Sequence, residues 1–175
     1  MEKEIRISNN LNEIVVLASF IEELGEELSL PAETVMNINL ALEEAVANII
    51  MYAYPPKEQH IILLKVTSTE KQLIFLLTDK GASFDPTQVE EVDITLPIEE
   101  RPIGGLGIFL IRSIMNEISY QRIDNENRLI MKKDILHKDE KIFQTWELRF
   151  QGWKLEFLTK ETSRNSWLAF EEEQS

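Results

Sequence analysis

Leu40-Ala41-Leu42-Glu43-Glu44-Ala45-Val46-Ala47-Asn48-Ile49-Ile50-Met51-Tyr52-Ala53-Tyr54 is the stretch on which the fold turns. Its apolar residues recur at helical spacing. Pro55-Pro56 ends it, because proline has no N–H for the helical ladder and restricts the residue before it. Residues four apart share one helical face, so Glu44 and Asn48 stand together on or beside the stripe that faces the core. A carboxylate and a carboxamide in that position need partners. Two readings stand, a structural couple at the edge of the core or a pair set out to hold something.

Working outward, the helix opens at Leu30-Pro31-Ala32-Glu33, with proline in the first turn and a glutamate near the positive end of the helix dipole. Before it, Leu11, Ile14, Val15, Ala18, Ile21, Leu24 and Leu28 mark another helix, with Glu22, Glu23, Glu26 and Glu27 on its polar side and Gly25 weakening its end. Residues 3–8 alternate as a first strand, and Ser8-Asn9-Asn10 supplies turn and cap chemistry. After the prolines, His60–Ser68 and Gln72–Asp79 read as an antiparallel hairpin. Glu117–Ile123 and Arg128–Ile135 read as two further strands, with Asp124-Asn125-Glu126-Asn127 as the turn between them.

Two glycine-bearing stretches lie between these strands. Asp79-Lys80-Gly81-Ala82-Ser83-Phe84-Asp85-Pro86 puts a carboxylate at a strand end beside a residue that permits close approach to the backbone; it is equally an ordinary turn. Pro86 to Ile103 is acidic and without period, as in a lid. Gly104-Gly105-Leu106-Gly107 then runs into an amphipathic helix, where free N–H groups attract phosphate, although glycines also simply shape turns. Arg112 on that helix reads as a surface or salt-bridged residue.

Composition narrows the function classes. At 175 residues the chain suits one domain with an appendage, and its net charge of −13 opposes unaided binding to nucleic acid or an anionic membrane. With no cysteine, disulfides, thiolate-ligated metals and thiol nucleophiles are excluded. The N-terminus lacks the apolar run of a signal peptide, which leads to the expectation of a cytoplasmic protein.

Glu44-Ala45-Val46-Ala47-Asn48, Asp79-Lys80-Gly81 and Gly104-Gly105-Leu106-Gly107, in that order, resemble the Bergerat-fold (GHKL) ATP-binding superfamily. Within it the chain is most similar to the anti-sigma-factor serine/threonine kinases of bacterial partner-switching systems. The resemblance implies an α+β, two-layer sandwich, with a mixed, mostly antiparallel sheet covered on one face by helices. It implies that Asn48 coordinates Mg²⁺ on the phosphates of ATP, that Glu44 is the general base, that Asp79 reads the adenine amino group with Gly81 beneath the base, and that Gly104, Gly105, Leu106 and Gly107 contact phosphate. It implies as partners an anti-anti-sigma protein of the STAS type and a sigma factor, and admits a homodimer. Tyr52 departs from the family, many members of which carry His or Arg four residues beyond the asparagine.

The resemblance covers roughly residues 3–134, which sets an ATP-binding domain at 1–136 and leaves 137–175 as an aromatic-rich extension. All three tryptophans, Trp146, Trp153 and Trp167, lie in that extension. Trp146-Glu147-Leu148-Arg149-Phe150 and Trp153-Lys154-Leu155-Glu156-Phe157 flank Gln151-Gly152, so a hairpin there would carry one apolar face, docked on the domain or on a partner. Three functions are consistent with the motifs: a kinase of the anti-anti-sigma protein, an ATP-dependent binding switch without transfer, and a histidine-kinase catalytic domain. The last is the weakest, because only His60 and His137 are available and neither lies in an obvious dimerisation helix pair.

Overall fold

Alternation along the strands decides which face of the sheet is covered. In this computed structural model, which describes residues 1–89 and 105–135, the strands are β1 (Glu2–Ser8), β2 (Ile61–Ser68), β3 (Gln72–Asp79), β4 (Glu117–Ile123) and β5 (Glu126–Asp134). They form one sheet in the order β1-β2-β3-β5-β4. The mostly antiparallel sheet expected from the sequence is antiparallel at every ladder among the described residues. Ile7, Ile62, Leu64, Val66, Leu73, Phe75, Leu77 and Met131 point to one face and are buried.

Helices α1 (Ile14–Glu27), α2 (Ala32–Tyr52) and α3 (Leu106–Ile114) cover that face. Leu17, Ile21 and Leu24 come from α1, Ile38, Leu42 and Val46 from α2, and Ile108 and Ile111 from α3. This is the two-layer α+β sandwich, and burying such side chains contributes about 1.5–3 kcal/mol each. No helix among the described residues is long and apolar enough to cross a membrane.

Local chemistry moved several boundaries. The first helix begins with a 3₁₀ turn at Leu11–Glu13, capped by Asn10, whose side chain accepts from the Asn12 N–H at 3.0 Å. Leu11 and Val15, read as part of the apolar stripe, are exposed. Gly25, near the end of α1, also has a packing role: it is buried, and a side chain there would strike the Val35 methyls, so it lets α1 approach α2 closely. Helix α2 stops at Tyr52, and Tyr54 lies beyond it, stacked on His60 with ring centroids 4.0 Å apart.

The β4–β5 connection is tighter than expected. Asp124 (φ 51°) and Asn125 (φ 62°) both occupy left-handed backbone and form a two-residue hairpin turn. Glu126 and Asn127, read from the sequence as turn, are therefore strand residues, and Asn127 pairs with Asp79 at the last rung of the β3–β5 ladder. Pro86–Gln88, read as the start of an irregular segment, is a 3₁₀ turn capped by Asp85. The rest of the lid, Gly104, the 136/137 boundary and the Trp146–Phe157 hairpin lie outside the described residues.

Candidate functional site

Side chains from α2, β3, β4, β5 and α3 converge on one cavity of about 690 Å³. Its lining includes Glu44 and Asn48 from α2, Asp79 from the end of β3, Gly105, Leu106 and Gly107 from the start of α3, and Tyr120 and Asn127 from β4 and β5. The structure thus brings the motifs separated in sequence to one place. Gly81 is buried immediately beside the cavity, and Gly104 falls outside the described residues.

Helix periodicity separates two adjacent glutamates. Glu43 accepts a hydrogen bond from Asn39 Nδ2 at 2.9 Å, whereas Glu44 turns with Asn48 into the cavity. Among the described residues, neither Glu44 nor Asn48 makes a side-chain hydrogen bond; both are held by the packed helix and by Gly107. A Cβ added to Gly107 would collide with the Glu44 carboxylate and come within 3.6 Å of Asn48 Nδ2. The α3 backbone is seated directly against the carboxylate–carboxamide pair.

Gly105 makes that seating geometrically feasible. It caps α3 in left-handed backbone, with φ 81°, a conformation natural to glycine, and its carbonyl accepts from Phe109 N at 2.9 Å. The first-turn N–H groups of α3 have no partner within the helix, and together with the helix dipole they favour a negatively charged group. A phosphate beside Gly105–Gly107 fits this end.

A metal among those phosphates fits as well. Asn48 offers one hard oxygen, and no group of three or more His, Asp or Glu among the described residues is arranged to hold an ion. An ion here would therefore complete its shell with phosphate oxygens and water, as Mg²⁺ usually does.

The opposite end of the cavity is buried and densely bonded. Asp79 is buried, and its Oδ1 accepts from Gly81 N at 2.7 Å and from Asn127 Nδ2 at 2.9 Å. Asn127, also buried, donates to Ala82 O at 3.0 Å and accepts from Tyr120 Oη–H at 2.7 Å and from Arg122. Tyr120 Oη meets Ser83 Oγ at 3.1 Å, and Arg122 donates to Gly81 O at 3.1 Å. Gly81 is fitted tightly, since a Cβ there would lie 2.6 Å from Ala53 O. Tyr54 Oη accepts from Lys80 N at 2.9 Å. Burial, followed by repulsion from the Asp79 carboxylate, pushes the Tyr54 phenol above its ordinary value.

Asn127, Tyr120 and Arg122 escaped sequence reading because their importance depends on strand register. The available signal was Asp124-Asn125, a pair that tolerates left-handed backbone and places Asn127 in a strand. Arg112, read as a surface or salt-bridged residue, is half-buried, and its Nη2 donates to Pro86 O and Val89 O, each at 2.8 Å, so among the described residues it clamps the loop after β3 and pairs with no acid.

Comparison with known proteins bears on the family and the fold. The chain is similar to the serine/threonine-protein kinase BtrW of Bordetella bronchiseptica, 32% identical over 94 residues, covering 54% of this chain and 66% of that one. It is similar to the serine-protein kinase RsbW of Bacillus cereus, 24% identical over 133 residues, covering 74% and 82%. A crystal structure of the RsbU and RsbW domains of a Mycobacterium tuberculosis protein shares the fold, with a TM-score of 0.57 at 11% identity over 77% of this chain and 32% of that one. The model of the histidine kinase-like ATPase domain matches residues 7–133, from the inward side chain of β1 through β5. This chain belongs to the histidine kinase-like ATPase domain family.

Proposed function

We propose that the protein is an ATP- and Mg²⁺-dependent serine/threonine kinase that phosphorylates an anti-anti-sigma protein of the STAS type and, in alternation, holds a sigma factor. One observation carries this reading: Gly107 is seated against Glu44 and Asn48 at one end of a cavity whose other end is Asp79. A nucleotide lying along that cavity would present its base to Asp79 and its phosphates to α3. The kinase names of the relatives from Bordetella and Bacillus support the reaction class.

In this reading Asp79 accepts from the adenine amino group, with the base lying against Gly81. The α3 N-terminus binds the phosphates, and the Asn48 carboxamide oxygen would hold Mg²⁺. Mg²⁺ supplies charge neutralisation across the phosphate oxygens. Glu44 accepts the proton of a partner serine or threonine hydroxyl while its oxygen bonds to the terminal phosphorus. The bond from that phosphorus to the bridging oxygen breaks, and ADP leaves with the electron pair. Position and electrostatics carry most of such a reaction.

The test is transfer from labelled ATP to a STAS-type partner, with wild type and Glu44→Gln compared. We expect acid-stable label on Ser or Thr with wild type, and loss of transfer by about 100-fold or more in the variant at retained ATP affinity. Partner binding that depends on ATP and survives Glu44→Gln, with no transfer by wild type, would replace the kinase with a binding switch.

A further inference from the structure

We infer that Asn127 is the positioning residue that sets base selectivity, acting through Asp79 as the terminus of a hydrogen-bonded chain that runs from Ser83 through Tyr120. This rests on the reading of the cavity as an ATP site. The geometry starts at Asp79 Oδ1, which already has two donors, Gly81 N at 2.7 Å and Asn127 Nδ2 at 2.9 Å. With Oδ1 engaged, the carboxylate is held in one orientation, with the Tyr54 phenol as a further hydrogen-bonding neighbour, and in the ATP reading its other oxygen would be the acceptor for the base. An acceptor so presented favours a 6-amino group and opposes a 6-oxo group, whose lone pairs would face it.

The direction of the amide is what makes this work. Asn127 Oδ1 takes the Tyr120 hydroxyl proton at 2.7 Å and an Arg122 N–H, so the NH₂ group must face Asp79. Its second proton goes to Ala82 O at 3.0 Å. A flipped amide would set oxygen against the Asp79 carboxylate and the Ala82 carbonyl while turning its N–H groups toward the Tyr120 and Arg122 donors. Tyr120, having donated its proton to Asn127, is left to accept from Ser83 Oγ–H at 3.1 Å. Asn127 is 6% exposed and Asp79 4%, so water does not substitute readily for any of these contacts.

The chain also ties base reading to the loop. Ser83 lies two residues before Asp85, which caps the turn at Pro86–Gln88, and Arg112 holds that turn from α3. The carboxylate that reads the base and the helix that meets the phosphates are thereby linked through one short segment.

The experiment compares dissociation constants of ATP and inosine triphosphate, which carries oxygen at position 6, for the full chain by calorimetry. Wild type is expected to prefer ATP by about ten-fold or more. Asn127→Asp keeps the acceptor for Tyr120 and Arg122 but removes the donor to Asp79, and should bring the ratio near one. Tyr120→Phe leaves the donor and removes one of the two groups that orient the amide, Arg122 remaining as the other, and should lower the ratio by about three-fold. Equal weakening of both nucleotides in folded Asn127→Asp would overturn the inference, since that is the signature of a structural role. If that variant does not fold, an unchanged ratio in Tyr120→Phe overturns it instead. Wild type that binds both nucleotides equally overturns the selectivity alone. Wild type that binds neither overturns the ATP reading with it, whereas ATP binding without phosphoryl transfer leaves the inference standing and removes only the kinase.

Discussion

Gly81 and Gly107 stand at opposite ends of the same cavity and are excluded from larger side chains by different neighbours. At Gly81 the obstacle is backbone, with Ala53 O 2.6 Å and Ala53 C 2.9 Å from an added Cβ. At Gly107 it is the tip of the Glu44 side chain, which can swing away. The Asp79 end is therefore built as part of the core, with its polar groups bonded to one another, while the α3 end is an adjustable contact between two helices. In the proposed kinase, rigidity would select the base, and adjustability would accommodate phosphate and a second substrate.

The largest effect expected from this contrast is at Gly107. Gly107→Ala should displace the Glu44 carboxylate and reduce phosphoryl transfer by about 100-fold, with a melting temperature within a few degrees of wild type. Gly81→Ala should do the reverse, costing about 1–3 kcal/mol in urea unfolding because backbone must shift. Equal losses of stability in both variants would erase the distinction. Asp79→Asn should follow, weakening ATP by about 10–100-fold in calorimetry, since a charge-assisted acceptor is replaced by an amide that can present the wrong group.

Smaller effects sharpen the picture at the margins. Arg112→Ala removes two carbonyl contacts at 2.8 Å and should cost about 1–2 kcal/mol, with faster amide exchange in the residues around Asp85 and Val89 than elsewhere. Uniform acceleration across the sheet would mean that Arg112 supports the core and not the loop. The smallest effect concerns Tyr54. Because its folded pKa lies above the ordinary 10.0, its contribution is fully present below pH 10 and is lost as pH rises beyond, when the unfolded phenol ionises first. Chemical denaturation of Tyr54→Phe should show a shallower decline than wild type over that alkaline range.

What could be read from the sequence was whatever is local in the chain. Glu44 and Asn48 share a turn of helix, Asp79 and Gly81 share a strand end, and Gly105 and Gly107 share a helix start, so spacing alone defines each unit. Their convergence needs the sheet order and was reached through resemblance. Asn127 is bound to Asp79 across 48 residues of sequence, and no spacing rule spans that distance. The same holds for Gly25, whose reason is Val35 on the next helix, and for Arg112, whose partners are carbonyls and leave no trace in side-chain pattern.

The register of the β3–β5 ladder has a consequence for the order in which the molecule is made. Asp79 and Asn127 form its final rung, at the end away from the β2–β3 hairpin, and a slip of one residue would carry Asn127 to the other face of the sheet. Chains that have formed α2, α3 and the two local hairpins hold every motif of the site yet lack the paired carboxylate and carboxamide. Nucleotide present during refolding would leave the early, hairpin-forming phases unchanged and act only after this long-range closure, trapping correctly registered chains and raising the melting temperature with the logarithm of ligand concentration.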